Sequence, residues 1–264
     1  MLCVEWFGLP GSGHFDIGGP QKAGPHCPRD FVASSFYVFG PHPTEFVQQN
    51  AMDRTTKAVD KIEAFLTANG SNLGGDFLTK LKADPHLSVS DRKMAEYIAG
   101  TCFGFAGPVT GSFRSVLYDW VKSERLWRIQ QRYLSIANGG DAAQAHQLLQ
   151  KEIIRSMAER PIPDLLHRKA VKGTKVGDVT VKPGDKIVFS LRSAIDGGGD
   201  AEELLFGGDY AQAKRPMHSC PGKQMGIQTL VACFAAILDR GQLVAEGPLT
   251  LRLKTPQQSD AVAV

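Results

Sequence analysis

Residues 214–226 read KRPMHSCPGKQMG and place one cysteine between a histidine and a Pro-Gly pair. An apolar stretch long enough for a helix follows, so we expect Cys220 at a helix N-terminus, where free N–H groups and the helix dipole stabilise a thiolate. Pro221 suits the first helical turn, and Gly222 has no Cβ to block a flat ligand. The stretch therefore predicts a metal-ligating thiolate, with His218 placed to hydrogen-bond an anionic group of the same ligand.

Two other interpretations of this cysteine stay open. In the first, Cys220 is a small buried residue of the core and His218 is an ordinary surface residue. In the second, the thiol binds zinc, which needs several nitrogen or sulfur ligands. Only His167, far away in the sequence, offers itself as a further ligand of that kind.

The composition is that of a globular protein. The chain has 264 residues, 42% of them hydrophobic, which is enough for a substantial core. Its net charge of +3 comes without runs of like charge, which argues against nucleic acid or a polybasic membrane contact as a partner. The five cysteines are irregularly spaced, so we expect a reducing, cytoplasmic setting without disulfides. We also expect no membrane segment and a soluble chain, because the longest apolar stretch, residues 227–238, is too short to span a bilayer.

The hydrophobic pattern predicts a mainly α fold with a small β-sheet. Helical periodicity covers residues 44–66, 90–120, 119–137, 142–157 and 222–238. The sequence GDVTVKPGDKIVFSL, residues 177–191, predicts a β-hairpin in which Pro183 and Gly184 form a type II turn. A last strand is expected in LTLRLK, residues 249–254.

The middle of the second predicted helix is unusual. Residues 100–112 read GTCFGFAGPVTGS, with glycine and proline where a buried helix should be strongest. Pro108 has no N–H and crowds the carbonyl of Gly104, so we expect the helix to kink or open there. A gap of that kind would admit a ligand.

The order of several short motifs along the chain then favours one interpretation of Cys220. The stretch EIIRSMAERPIPDLLHRKAV, residues 152–171, contains a Glu-x-x-Arg helix and an arginine that enters a strand, and a Lys-Pro-Gly-Asp turn and the Cys-Pro-Gly helix start follow. In this order the features resemble the cytochrome P-450 superfamily of haem-thiolate oxygenases. The resemblance is clear over residues 97–253 and weak over 1–90. It implies one domain over residues 1–264, the C-terminal portion of a P-450-like domain that is N-terminally incomplete.

The resemblance implies a set of site residues. Cys220 would be the axial ligand of the iron of haem b. Cofactor binding would also involve Gly222, and His218 and Arg168 would contact the haem propionates. Glu152 and Arg155 would form a structural ion pair. The catalytic residues of the distal oxygen groove would be Ala106, Gly107 and Thr110.

The function implied is a monooxygenase that inserts oxygen into a small apolar organic substrate, with a ferredoxin or a flavin reductase as possible electron donor. Lys214, Arg215 and Lys223 offer cations for such a donor. Where the family carries an acid before its distal threonine, this chain has Val109, which favours an alternative, a peroxygenase or a fatty-acid hydroperoxide isomerase. A second alternative is a truncated, non-catalytic relative that is prone to aggregate, since the early part of the family domain has no counterpart here.

Overall fold

The structure, a computed structural model, describes residues 44–69, 76–85, 88–208, 219–241, 243–245 and 251–253. His218, the glycine-rich loop before residue 76 and the segment before residue 44 lie outside the described residues. Contacts divide the chain into two compact units, residues 1–108 and 109–264. The single domain expected over residues 1–264 therefore stays a prediction.

The first unit is helical where it is described. It contains α1 (Glu45–Asn69), α2 (Asp76–Ala83) and the first part of α3 (Asp91–Lys122). Apolar side chains of α1 and α3 share one core, which includes Ala58, Ile62, Leu66, Met94, Ile98 and Cys102. At the edge of this core Arg92 forms ion pairs with Asp60 and Glu63 of α1. The helix predicted from residue 44 is confirmed.

Helix α3 continues without interruption through Pro108. The opening predicted there is therefore not confirmed. A proline removes a single N–H from the ladder, and the helix extends for more than ten residues on both sides of it, with side chains in a core on each side. The helix is interrupted only after Lys122, where Glu124 adopts a left-handed conformation with φ of 57°.

Three further helices form the core of the second unit with the end of α3. They are α4 (Arg125–Asn138), α5 (Ala142–Glu159) and α8 (Lys223–Leu238). The carboxylate of Asp141 caps α5 by accepting a hydrogen bond from the N–H of Gln144 at 2.8 Å. The sequence predicted all three helices, although α4 begins six residues later than expected, since α3 itself extends to Lys122.

The strands between α5 and the next helix form two separate antiparallel pairs. Strand β1 (Leu165–Lys169) pairs with β4 (Lys186–Ser190), and β2 (Thr174–Val176) pairs with β3 (Val179–Val181). The predicted hairpin, in which β3 would pair with β4, is therefore wrong. Each of the two strands has its partner earlier in the chain.

The Pro183-Gly184 turn itself is present. The N–H of Asp185 donates to the carbonyl of Lys182 at 3.1 Å, and Gly184 has the positive φ of 93° that a type II turn requires. The N–H of Gly184 donates to the carbonyl of Ala170 at 2.8 Å. This bond holds the turn against Ala170, the residue after β1. After the turn the chain therefore runs beside β1 as strand β4.

Two short helices follow β4 and lead towards the cysteine. They are α6 (Leu191–Asp196) and α7 (Ala201–Phe206), and both pack against α5. Arg192 of α6 donates to the carbonyl of Glu159 at 2.8 Å, which satisfies an acceptor at the C-terminal end of α5. The short helices therefore hold the end of the Glu-x-x-Arg helix.

The end of α8 is fixed by α4. The buried amide of Gln130 donates to the carbonyls of Leu238 at 3.0 Å and Gly241 at 2.7 Å. Tyr133 lies one turn further along α4, with its hydroxyl 3.2 Å from the carboxylate of Asp239. Burial raises the pKa of Tyr133, and the Asp239 carboxylate adds to the rise. After α8, β5 (Leu243–Ala245) pairs with β6 (Leu251–Leu253).

An aromatic group joins α3 to α8. The ring of Phe234 lies 4.5 Å from the ring of Trp120 and 4.8 Å from that of Phe113, measured between centroids. Phe234 and Trp120 are completely buried. Because α3 carries the predicted distal residues and α8 follows Cys220, this packing sets the separation of the two helices in the second unit.

We predict that Phe234→Ala destabilises the second unit by about 3–5 kcal/mol, the usual cost of deleting a buried phenylalanine ring. The free energy of unfolding would be measured by urea denaturation followed by circular dichroism. Phe46→Ala is the control, because that ring, also helical, is 77% exposed, and it should change the free energy by less than about 0.5 kcal/mol. Equal effects of the two variants would contradict the packing described here.

Candidate functional site

Cys220 lies in the turn that opens α8, and its side chain is half-buried. Its N–H donates to the carbonyl of Phe206 at 2.8 Å, and its own carbonyl accepts from the N–H of Lys223 at 3.4 Å. A Cβ added to Gly222 would lie 3.9 Å from the sulfur of Cys220. The sulfur is therefore beside the glycine at the helix N-terminus, as the sequence predicts.

The predicted distal residues follow one another on α3. Ala106 and Gly107, of the first unit, are half-buried, and Thr110, of the second, is exposed. Val109, at the position of the absent acid, points towards α8: its Cγ2 lies 3.8 Å from the place that a Cβ of Gly226 would occupy. The valine thus belongs to the apolar packing between α3 and α8.

Ile162, on the loop after α5, is a neighbour of the distal motif that the sequence analysis missed. A Cβ added to Gly111 would lie 3.1 Å from Cγ2 of Ile162. The sequence does contain one signal for this contact, which is Gly111 directly after Thr110. Another segment can approach a helix closely only where the helix has a small residue.

Glu152 and Arg155 do not pair with each other in this structure. The carboxylate of Glu152 lies 3.8 Å from the guanidinium of Arg132 on α4, and Arg155 pairs with Glu159 at 3.4 Å. Arg155 is 64% exposed and has an acid four residues later on its own helix, which is close enough on the helix surface for an ion pair. The ion pair expected from the resemblance is therefore replaced by two others.

Arg168 is exposed on β1, and its guanidinium donates to the carbonyl of His167 at 2.8 Å. Among the residues that the structure describes, no group of three or more histidine, cysteine or acidic side chains is placed to hold a metal ion. His167 and Cys220 therefore do not belong to a zinc site of that kind in the described part of the chain.

Comparison with solved structures decides the fold. The chain matches cytochrome P450 EryK from S. erythraea with a TM-score of 0.65 and 15% identity, covering 93% of this chain and 60% of that one. The chain has part of a cytochrome P450 fold. It also matches CYP109E1 from Bacillus megaterium in complex with testosterone, with a TM-score of 0.61, 15% identity and coverage of 96% and 67%.

The match to P450 structures is partial. CalO2 aligns with a TM-score of 0.60 and 14% identity, and the alignment covers 83% of this chain but only 54% of CalO2. The chain thus spans between half and two thirds of the P450 chains that it resembles. No protein-family profile matches the sequence, and no curated protein matches it significantly. The predicted fold class, mainly α, P450-like and incomplete, is confirmed.

The donor set at Cys220 fits a haem. Cys220 offers one sulfur on a half-buried side chain, and the described residues contain no group of three or more histidine, cysteine or acidic side chains placed to hold a metal ion. An iron ion bound at a single thiolate needs its other ligands from a second source, and a porphyrin supplies four nitrogens. Gly222, beside the sulfur, adds no side chain on this face.

The described part of the P450 fold has no helix long and apolar enough to cross a membrane. Of the cations expected to meet an electron donor, Lys214 and Arg215 lie outside the described residues. Lys223 is described: its ammonium pairs with Glu202 at 2.7 Å, and its side chain is only 18% exposed. It is therefore not a solvated docking charge in this structure.

A buried polar network joins helices α3, α4 and α5. Arg125 forms an ion pair with Asp119 and donates to the hydroxyl of Ser156 at 2.7 Å. Ser156 in turn donates to Asp119 at 2.8 Å and accepts from Nε1 of Trp120 at 2.9 Å. The Asp119 and Arg125 side chains are about nine-tenths buried. The network fixes α3, α4 and α5 together.

We predict that Arg125→Met destabilises the protein by about 3–5 kcal/mol, because it leaves the Asp119 carboxylate buried without its partner. The double variant Asp119→Leu/Arg125→Met should recover much of that loss, since it removes both charges. Arg128→Met, at an exposed position of the same helix, is the control and should cost less than about 0.5 kcal/mol. Urea unfolding measures all three, and a double variant less stable than Arg125→Met would argue against the network.

Proposed function

We propose that the chain is the later part of a haem-thiolate oxidoreductase and that Cys220 is the axial ligand of a haem b. The observation that supports this proposal is the place of the half-exposed thiol, at the N-terminus of α8 in a partial P450 fold. The proposal goes beyond the fold, because identities of 14–15% say nothing of the chemistry.

The residues around Cys220 would bind and orient the cofactor. Gly222 leaves room for a flat ring, and His218 and Arg168 would hold its propionates. Bound in this way, the haem supplies oxygen or peroxide activation, and electron donation by the thiolate favours cleavage of the O–O bond.

The distal side would be formed by α3. Ala106 and Gly107 are small enough to leave space beside the helix axis. The Thr110 hydroxyl is exposed and both donates and accepts hydrogen bonds, so it would hold a proton at Oγ1 for delivery to oxygen. On this basis we assign the chain as a monooxygenase that inserts oxygen into a small apolar organic molecule.

One neighbouring ligand supports the proposed substrate class: a CYP109E1 structure contains testosterone, a small and largely apolar molecule. A ferredoxin or a flavin reductase would supply the electrons. With Lys223 paired internally, Lys214 and Arg215 are the remaining candidates from this set for contact with the donor.

We predict that the chain, expressed with a haem precursor, binds haem and gives a thiolate-type difference spectrum when reduced with carbon monoxide. Cys220→Ala should abolish that spectrum, because the iron loses its sulfur ligand. Cys233→Ala is the matched control, a half-buried cysteine on α8 itself, and should leave the spectrum unchanged. An unaltered spectrum in Cys220→Ala would refute the assignment.

A second function, that of a peroxygenase or fatty-acid hydroperoxide isomerase, is favoured by Val109. Activation of dioxygen by reduction consumes protons at the distal oxygen, and a carboxylate beside Thr110 would help to deliver them. Valine cannot, and its side chain packs towards Gly226. In a hydroperoxide the oxygen is already reduced to the peroxide level, so its activation does not need this delivery of protons.

To separate the two functions, turnover would be compared with a fatty-acid hydroperoxide alone and with dioxygen plus an electron donor. If the peroxide function holds, the hydroperoxide is consumed rapidly and dioxygen turnover is poorly coupled to product. Fast, tightly coupled turnover with dioxygen only would eliminate this second function, and Val109→Glu should then bring little gain.

The non-catalytic alternative makes its own prediction. A truncated relative would aggregate or would bind haem without turnover of either oxidant. A monomeric, cooperatively unfolding and haem-loaded chain that turns over one of them would exclude it.

A further inference from the structure

Three contacts connect the short helix α7 to the cysteine turn. The N–H of Cys220 donates to the carbonyl of Phe206, the last residue of α7, at 2.8 Å. The ammonium of Lys223 pairs with the carboxylate of Glu202 at 2.7 Å. The same ammonium lies 5.6 Å from the centroid of the Phe206 ring, within the range of a cation–π contact. The turn is therefore held through its backbone and through one side chain.

The environment of Lys223 differs from that of a surface lysine. Its side chain is only 18% exposed, and Lys223 is the first residue of α8, three residues after Cys220. A long ammonium side chain is normally extended into water, where it keeps its rotamer freedom. Here that freedom is restricted by a carboxylate and an aromatic ring of α7. The contacts direct the charge towards α7 rather than towards a partner protein.

We propose that Glu202 and Lys223 are positioning residues for Cys220. The pair holds the cysteine turn against α7 before any cofactor is bound, and Glu202 neutralises a positive charge that would otherwise act on the sulfur. The proposal rests on the function proposed above only in its second part. The first part concerns the turn itself and applies to the haem-free chain.

Hydrogen exchange of the Cys220 amide in the haem-free chain tests the first part. Glu202→Gln weakens the ion pair, so this amide should exchange about two- to five-fold faster, the factor expected for the loss of a partly exposed ion pair. Lys223→Arg keeps the pair and should exchange as the unchanged protein does. Glu203→Gln, a neighbouring carboxylate for which no ion pair is seen among the described residues, is the control. The same rate in Glu202→Gln and Glu203→Gln would overturn the proposal.

The reduction potential of the bound haem tests the second part. Glu202→Gln leaves the lysine charge uncompensated and should raise the potential, because a nearby cation favours the reduced iron. Lys223→Gln removes that charge and should lower it. A purely structural role would shift the potential in the same direction in both variants, and that result would overturn the charge effect. If the chain binds no haem, the proposed function fails, whereas the exchange experiment still decides whether the pair holds the turn.

Discussion

The packing of Phe234 between Phe113 and Trp120 is the constraint on which the candidate site depends. It joins the helix that carries Thr110 to the helix that begins beside Cys220. Aromatic pairs at these centroid distances contribute about 0.5–1.5 kcal/mol each beyond their burial. Val109, beside Gly226, belongs to the same apolar packing between α3 and α8.

A polar network and a short helix complete this arrangement. The Asp119–Arg125 ion pair with Ser156 fixes α3 to α4 and α5 in an environment where unpaired charge is costly. The short helix α7 packs against α5, and the carbonyl of its last residue, Phe206, accepts a hydrogen bond from the N–H of Cys220. The cysteine is thus supported from its own helix and from a separate element. This support explains how a single thiol in a glycine-containing turn keeps a defined position.

The sequence was sufficient for features that depend on local pattern. The helix from residue 222 to 238 was predicted within one residue, and the Cys220 turn lies at its start as expected. The partial P450 fold also followed from the order of short motifs. The pairing of strands did not follow, because β3 and β4 both find partners earlier in the chain and only the tertiary structure decides between partners. For the same reason the pairing of Lys223 with Glu202, 21 residues earlier in the chain, could not be predicted from the sequence.

The identity of the iron ligand is the central claim, and X-ray absorption at the iron edge tests it most directly. In the haem-loaded chain the account predicts one sulfur atom in the first shell of the iron, in addition to the porphyrin nitrogens. In Cys220→His the sulfur should be absent and nitrogen should take its place, while Cys233→Ser should retain it. A first shell of nitrogen and oxygen alone in the unchanged chain, or sulfur that persists in Cys220→His, would contradict the account.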